Sequence, residues 1–256
     1  MTEISRIQRL VAALPALSNH QLEMIDGVVG VFLSPKSYRR SPKSDLISKQ
    51  ALDYFGDVLR LHHCFSREPF SKDKFEYALE RVLLDSGVDC SLAPRGTKGH
   101  DILIKGKPCS LKTEAAKSIK PMVLHISKYM ELGKGEWNDN PKNLEGLLGQ
   151  FLANLKGVSR IFVLRTLEMG DPEYSYEMVE IPVSLLAMAE AGRLEMTLTS
   201  KQSPKPGNCF VEENGSTVFS LYFDGGTERK LQIKNLDKNR CMVHAVWRFS
   251  PPLKRP

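Results

Sequence analysis

The chain has no CxxC pair. Its five cysteines, Cys64, Cys90, Cys109, Cys209 and Cys241, fall at irregular intervals along 256 residues. An odd count in a chain this large argues against a disulfide framework and for reduced, mostly buried thiols. No apolar run approaches the length a bilayer requires. The start, MTEISRIQRLVAALPALSNH, holds only the short run VAALPAL, with no small-residue cleavage pattern behind a long apolar core. A signal peptide and a membrane anchor are therefore not expected, and the expected compartment is the cytoplasm. Neither a GxxxxGK[ST] loop nor a GxGxxG fingerprint occurs, so no nucleotide cofactor is expected. Acid is in deficit too: 30 Asp and Glu against 36 Lys and Arg leave a net charge of +6. That balance suits a polyanionic partner, because cations that neutralise phosphates release counterions.

What is present is an ordinary folding composition, 41% hydrophobic and 26% charged, without repeats or low-complexity runs. Residues 3–33 read as two helices. Ile4, Ile7, Leu10, Val11 and Leu14 keep helical spacing, Pro15 breaks the run, and Ser18-Asn19-His20 offers a cap for the second. LSPKSYRRSPKSD, 33–45, is basic and carries two prolines, which predicts a loop or linker. A third helix follows over 45–64, so residues 1–70 are expected to form an N-terminal helical subdomain. Residues 71–256 would then hold the core. Within it, 72–86 is an amphipathic helix with Phe75, Leu79, Val82 and Leu83 as its buried stripe and Glu76 and Glu80 beside it. Further helices are predicted at 143–156 and in 179–192, and 160–168 reads as a central strand. The C-terminal part turns to β-hairpins, with Asn214-Gly215 and Asp224-Gly225-Gly226 as turn signals.

The stretch GHDILIKGKPCSLKTEA, 99–115, carries the chemistry. Asp101 to Lys105 alternates as a strand, Gly106-Lys107-Pro108 turns, and a second strand runs from Cys109. Alternation places Ser110, Lys112 and Glu114 on one face and Cys109, Leu111 and Thr113 on the other. Pairing of the two arms brings Asp101 near Lys112, and the helix before them can add Glu76 or Glu80. Carboxylates, a hydroxyl and a lysine in one small volume suit phosphodiester hydrolysis. Carboxylate oxygens can bind Mg²⁺, and a lysine near the metal can orient the attacking water and offset developing charge.

In that order (helix with Glu, strand with Asp, turn, strand ending x-x-Lys) the chain resembles the PD-(D/E)xK nuclease superfamily and, within it, the type II restriction endonucleases. The resemblance covers about residues 72–166. Asp101 matches the first acid and Lys112 the lysine. Ser110 stands in the slot of the second acid, and His100 where the pattern has Pro. The resemblance implies a restriction-endonuclease-like α/β core, a mixed central sheet flanked by helices, acting as a Mg²⁺-dependent homodimer on double-stranded DNA. It implies Asp101, Ser110, Lys112 and Glu76 as the catalytic group, with Asp101, Glu76 and Glu114 as metal ligands and Glu131 as a further candidate carboxylate. Phosphate and base contacts would come from Lys117, Lys120, His125, Ser127 and Lys128, and from Arg229, Lys230, Gln232, Lys234 and Asn235 in the late hairpin.

Competing expectations remain open. Asp101 and Lys112 can be read as a cross-strand ion pair, and Glu76 as the solvated edge of a helix. His62-His63-Cys64 lacks a second ligand pair with zinc spacing. The same fold also accommodates a mismatch nickase, a junction resolvase, or a DNA-binding protein that lost catalysis with the acid at Ser110.

Overall fold

The structure, a computed structural model, describes residues 3–94, 96–97, 99–116, 119–133, 137–170 and 172–251. Its elements in chain order are α1 (Glu3–Ala13), α2 (Asn19–Leu33), β1 (Lys36–Arg40), α3 (Lys49–Phe65), α4 (Lys72–Asp85), β2 (Cys90–Leu92), β3 (Ile102–Ile104), β4 (Lys107–Glu114), β5 (Val123–Glu131), α5 (Lys142–Lys156), β6 (Arg160–Met169), β7 (Tyr174–Ile181), α6 (Val183–Ala187), β8 (Arg193–Met196), β9 (Gly207–Glu213), β10 (Ser216–Phe223), β11 (Lys230–Asp237) and β12 (Met242–Phe249). This is a mixed α/β fold with a central mixed sheet flanked by helices.

The central sheet has seven strands in the order β1-β12-β7-β6-β4-β3-β2. Only β4 and β6 run parallel. β6, the expected central strand, is the middle one, and its apolar run is buried from Ile161 to Thr166. α3 and α4 cover one face, where Phe55, Leu59, Phe75 and Leu79 meet Leu111, Phe162, Tyr176 and Trp247. The other face carries α5 and a second sheet, β5-β11-β10-β9-β8. There Phe151 and Leu155 pack with Ile161, Val163, Phe219, Leu221 and Ile233. In the second sheet β9 and the first half of β11 bury alternate residues against this core, whereas β10 buries Val218–Leu221 as a run.

Pro15 lies in the break between α1 and α2, and Ser18 caps α2 through a reciprocal box with Gln21. The 33–45 stretch is not wholly a loop: Lys36–Arg40 forms the edge strand β1, antiparallel to β12. No periodicity announced it, since four of its five residues are exposed and its pairing comes from a strand two hundred residues away. β1 and α3 belong to the core of the main sheet, whereas α1 contributes nothing to either core cluster. β7 is also longer than expected, because Tyr174 to Met178 precede the predicted strand end.

Candidate active site

The β3–β4 connection is a two-residue turn. Ile104 pairs with Lys107, and Lys105 and Gly106 both take positive φ, 51° and 71°. That is the twist a tight hairpin needs, and Gly106 adopts it without side-chain conflict. The register it sets pairs Ile102 with Cys109, which places Asp101 opposite Ser110, one same-face step from Lys112. The Asp101 amide donates to the Cys109 carbonyl at 2.9 Å. Cys109 and Leu111 enter the helical core. Ser110 and Lys112 face the other side, alongside Ile161 and Val163 of β6.

The side chains close into one network. Asp101 Oδ2 accepts from the Leu111 amide at 2.6 Å and from Ser110 Oγ at 3.0 Å. Lys112 Nζ donates to Ser110 Oγ at 2.7 Å and lies 3.5 Å from Asp101 Oδ2. Asp101 Oδ1 receives Lys72 Nζ at 2.7 Å, and the same ammonium reaches Glu76 Oε1 at 2.8 Å. Two carboxylate oxygens thus converge on one cation. Burial pushes the Asp101 carboxyl up, but Lys112, Lys72 and the Leu111 amide outweigh it and hold it below the usual carboxylate range. For Lys72, burial opposes the charge, but Asp101 and Glu76 raise its affinity for the proton. Lys112 goes the other way: burial lowers it more than Asp101 raises it. Glu80 is engaged elsewhere, accepting from the Leu92 amide at 2.8 Å and so anchoring β2 to α4.

Lys72, Asp101, Ser110 and Lys112 line a cleft of about 650 Å³, and Glu76 lines an adjoining one that shares Lys72, His100 and Asp101. The walls of the first include His100, Tyr129, Glu131, Gln150 and Asn154. Tyr129 comes from the second sheet and its ring lies 5.4 Å from Lys112 Nζ. Its hydroxyl is buried and makes no hydrogen bond. Local sequence pattern missed Lys72, Tyr129, Gln150 and Asn154. For Lys72 the signal existed, because it stands four residues before Glu76 on α4. For Tyr129 there was none, since it meets the hairpin only through packing of the two sheets.

Not every expected residue joins this cleft. Glu114 does not line it. Its Oε2 lies 2.5 Å from Arg165 Nε and its Oε1 accepts from the His125 amide at 3.0 Å. The fully buried Arg165 also pairs with Glu177 at 2.5 Å and donates to the carbonyls of Lys120, Pro121 and Val123. Burial pushes the Glu114 carboxyl up, against the pull of Arg165. Glu131 lines the cleft but pairs with Lys128 at 2.9 Å.

The expected DNA contacts divide into two places. Arg229 and Lys230 stand at the end of the β10–β11 hairpin beside the cleft. Leu132, a cleft residue, donates its amide to the Arg229 carbonyl, and Lys230 pairs with Glu131 across the strands. His125, Gln232 and Lys234 sit half-buried on β5 and β11, where Lys234 covers the Tyr222 ring at 3.5 Å and Gln232 donates to Asp224. Burial and Lys234 both lower His125. Ser127, Lys128, Lys120 and Asn235 are exposed, and Lys117 lies outside the described residues.

Elsewhere, Asp45, Glu180 and His244 bring three ligand-type side chains together, the only such group among the described residues. Arg160 already fills its centre, 2.7 Å from Asp45 and 2.6 Å from Glu180. His244 is fixed between Ser44 Oγ and Glu180 Oε2, each at 2.8 Å. This is a satisfied ion-pair network. His63, in the helical layer, is fixed too, between the Ser66 carbonyl at 2.9 Å and the Tyr176 hydroxyl at 2.6 Å.

A basic chain with a mixed sheet and an acid–lysine hairpin at the floor of a cleft has the architecture of a DNA-cleaving enzyme. A family model described as "SmaI: Type II site-specific deoxyribonuclease" matches residues 10–249. Among curated proteins, the type II restriction enzyme SmaI of Serratia marcescens is 44% identical over 251 residues, 97% of this chain and 99% of that one. No solved structure matches it significantly. The chain belongs to the SmaI family of type II site-specific deoxyribonucleases.

Proposed function

We propose that the chain is a Mg²⁺-dependent endonuclease that cuts double-stranded DNA at a specific sequence, through a PD-(D/E)xK-type site and as a homodimer. The observation that carries this reading is the convergence of Asp101, Ser110 and Lys112 at one end of a tight hairpin, inside a cleft, with Glu76 joined to Asp101 through Lys72. The donor set suits a hard divalent cation: Asp101 Oδ1 and Glu76 Oε1 lie within 2.7 and 2.8 Å of a single positive centre. A bound cation there supplies charge neutralisation as the phosphorus gains its fifth oxygen.

The residues divide the remaining work. Asp101 and Glu76 present ligand oxygens. Lys112, buried and with its proton loosened by burial, positions the attacking water and takes part in moving its proton. Ser110 stands in the second-acid position and fixes both neighbours, donating to Asp101 and accepting from Lys112. Glu114 is left to Arg165, and Glu76 is the compensating carboxylate. Lys120, Lys128, Arg229, Lys230, Lys234 and Asn235 contact phosphates or bases, and two-fold symmetric assembly matches a palindromic site. No helix among the described residues is long and apolar enough to cross a membrane; action on cytoplasmic DNA is part of the same reading.

One observation favours a second reading. Ser110 in place of an acid suits a DNA-binding protein of this fold without catalysis. Digestion of a large, sequenced, unmethylated DNA with and without Mg²⁺ separates the two. Discrete Mg²⁺-dependent fragments support the endonuclease. A smear means non-specific or structure-directed cleavage. Intact DNA in both Mg²⁺ and Mn²⁺, with retained binding, supports the inactive fold.

A further inference from the structure

Eighteen large hydrophobic side chains among the described residues are exposed, and ten of them lie in the first 33 residues. On α1 they are Ile4, Ile7, Leu10 and Val11, each more than half exposed. They fall at i, i+3, i+6 and i+7, one continuous stripe. On α2, Val31 is buried toward α3, while Ile25, Val29, Phe32 and Leu33 stay uncovered on another side. A helix apolar on more than one side is a helix that something else covers. The two stripes do not cover each other, because the main contacts of α1 are with the turn at Leu14–Ala16.

The polar residues beside the stripes have opposite signs. Beyond Glu3 at the start of α1, Arg6 borders the α1 stripe, and Asp26 borders the α2 stripe; Arg9 and Glu23 fall on the far faces of their helices. We infer that these helices are the surface on which a second copy of this chain docks, the α1 stripe of each copy lying on the α2 stripe of the other. The inference rests on the homodimer reading above and names its interface. Apolar stripe meets apolar stripe, and Arg6 of one copy faces Asp26 of the other. The contact is isologous, so one two-fold axis closes it without leaving an open end. The acidic flank of α2 disfavours an anionic membrane as the occupant.

Sedimentation velocity on the full chain tests this, with circular dichroism confirming that each variant is folded. Wild type is expected to be a dimer and Leu10→Asp/Val29→Asp a monomer, its Kd raised at least 100-fold. Arg6→Glu and Asp26→Arg are each expected to dimerise weakly alone and to form a heterodimer when mixed, because mixing restores both charge pairings. A wild-type dimer that survives Leu10→Asp/Val29→Asp overturns this surface and leaves the homodimer reading standing. A wild-type monomer at every concentration overturns both. Co-flotation of monomer with phosphatidylcholine vesicles, lost in Leu10→Asp/Val29→Asp, assigns the stripes to a lipid surface and overturns the inference.

Discussion

Lys72 Nζ lies 2.7 Å from Asp101 Oδ1 while touching Glu76 Oε1 at 2.8 Å. One ammonium thus neutralises both carboxylates proposed to hold the metal, and the two kinds of cation compete for the same oxygens. At partly exposed positions such a pairing contributes about 1 kcal/mol or less. Lys72→Met is therefore expected to tighten Mn²⁺ binding about fivefold in calorimetric titration of the DNA-free protein. Unchanged affinity would mean that Glu76 and Asp101 are not the ligands.

Lys112 is nearly buried, and its charge is supported by Asp101 and Ser110. Lys112→Met is expected to slow single-turnover cleavage by about 10²- to 10⁴-fold, the usual range for a lost proton-transfer group, with DNA affinity close to wild type. Ser110→Ala removes one hydrogen bond to each neighbour and is expected to slow cleavage about tenfold. A Lys112→Met enzyme that cuts at full rate would remove this lysine from the mechanism.

Tyr129 combines a buried, unbonded hydroxyl with a place on the cleft wall. An unsatisfied buried hydroxyl costs about 1–3 kcal/mol. Tyr129→Phe is expected to raise stability by about 1 kcal/mol in urea titration while cleavage slows several-fold. Higher stability without a cleavage defect would confine Tyr129 to packing.

Arg165 faces Glu114 and Glu177 with all three side chains buried, and Lys238 adds a second contact to Glu177 at 3.0 Å. Removing the guanidinium leaves Glu114 without a cation, leaves Glu177 to Lys238 alone and frees three carbonyls. Arg165→Met is expected to lose about 3–5 kcal/mol, with Glu114→Gln in the same chain restoring part of it. A loss under 1 kcal/mol, measured by denaturant unfolding, would contradict the network.

His63 gives the fold a pH dependence. It is buried as the neutral ring: Nδ1–H donates to the Ser66 carbonyl, and Nε2 accepts from the Tyr176 hydroxyl. Burial, helped by His62 and Lys74 and opposed by the hydrogen bond to the Ser66 carbonyl, lowers its pKa from 6.5 to about 4. The unfolded chain then binds the proton more tightly than the folded one. Stability is full above pH 6.5, is lost as the pH falls toward 4, and levels off below. The total is about 3 kcal/mol from that shift. His63→Gln is expected to be less stable at neutral pH and to have a flatter profile between pH 6.5 and 4; an unchanged slope would contradict this.

The sequence made the site more legible than its surroundings. Asp101, Ser110, Lys112 and Glu76 were readable as candidates because hairpin alternation and a helical stripe are local signals; the structure joins the first three directly and Glu76 only through Lys72. Glu114 shared the alternation, but its partner Arg165 lies fifty-one residues on, and such a pairing has no local signature. β1 was missed for the same reason, its hydrogen bonds being supplied by β12. The helices of the first seventy residues were visible from their spacing, but not that α3 would join the main core while α1 stayed outside it.

The central claim is that Asp101 and Lys112 form the catalytic site. The most direct measurement is Mg²⁺-dependent cleavage by Asp101→Ala, with DNA binding followed in parallel in Ca²⁺. The account predicts that cleavage falls below detection while binding stays near wild type. Cleavage at the wild-type rate would contradict it.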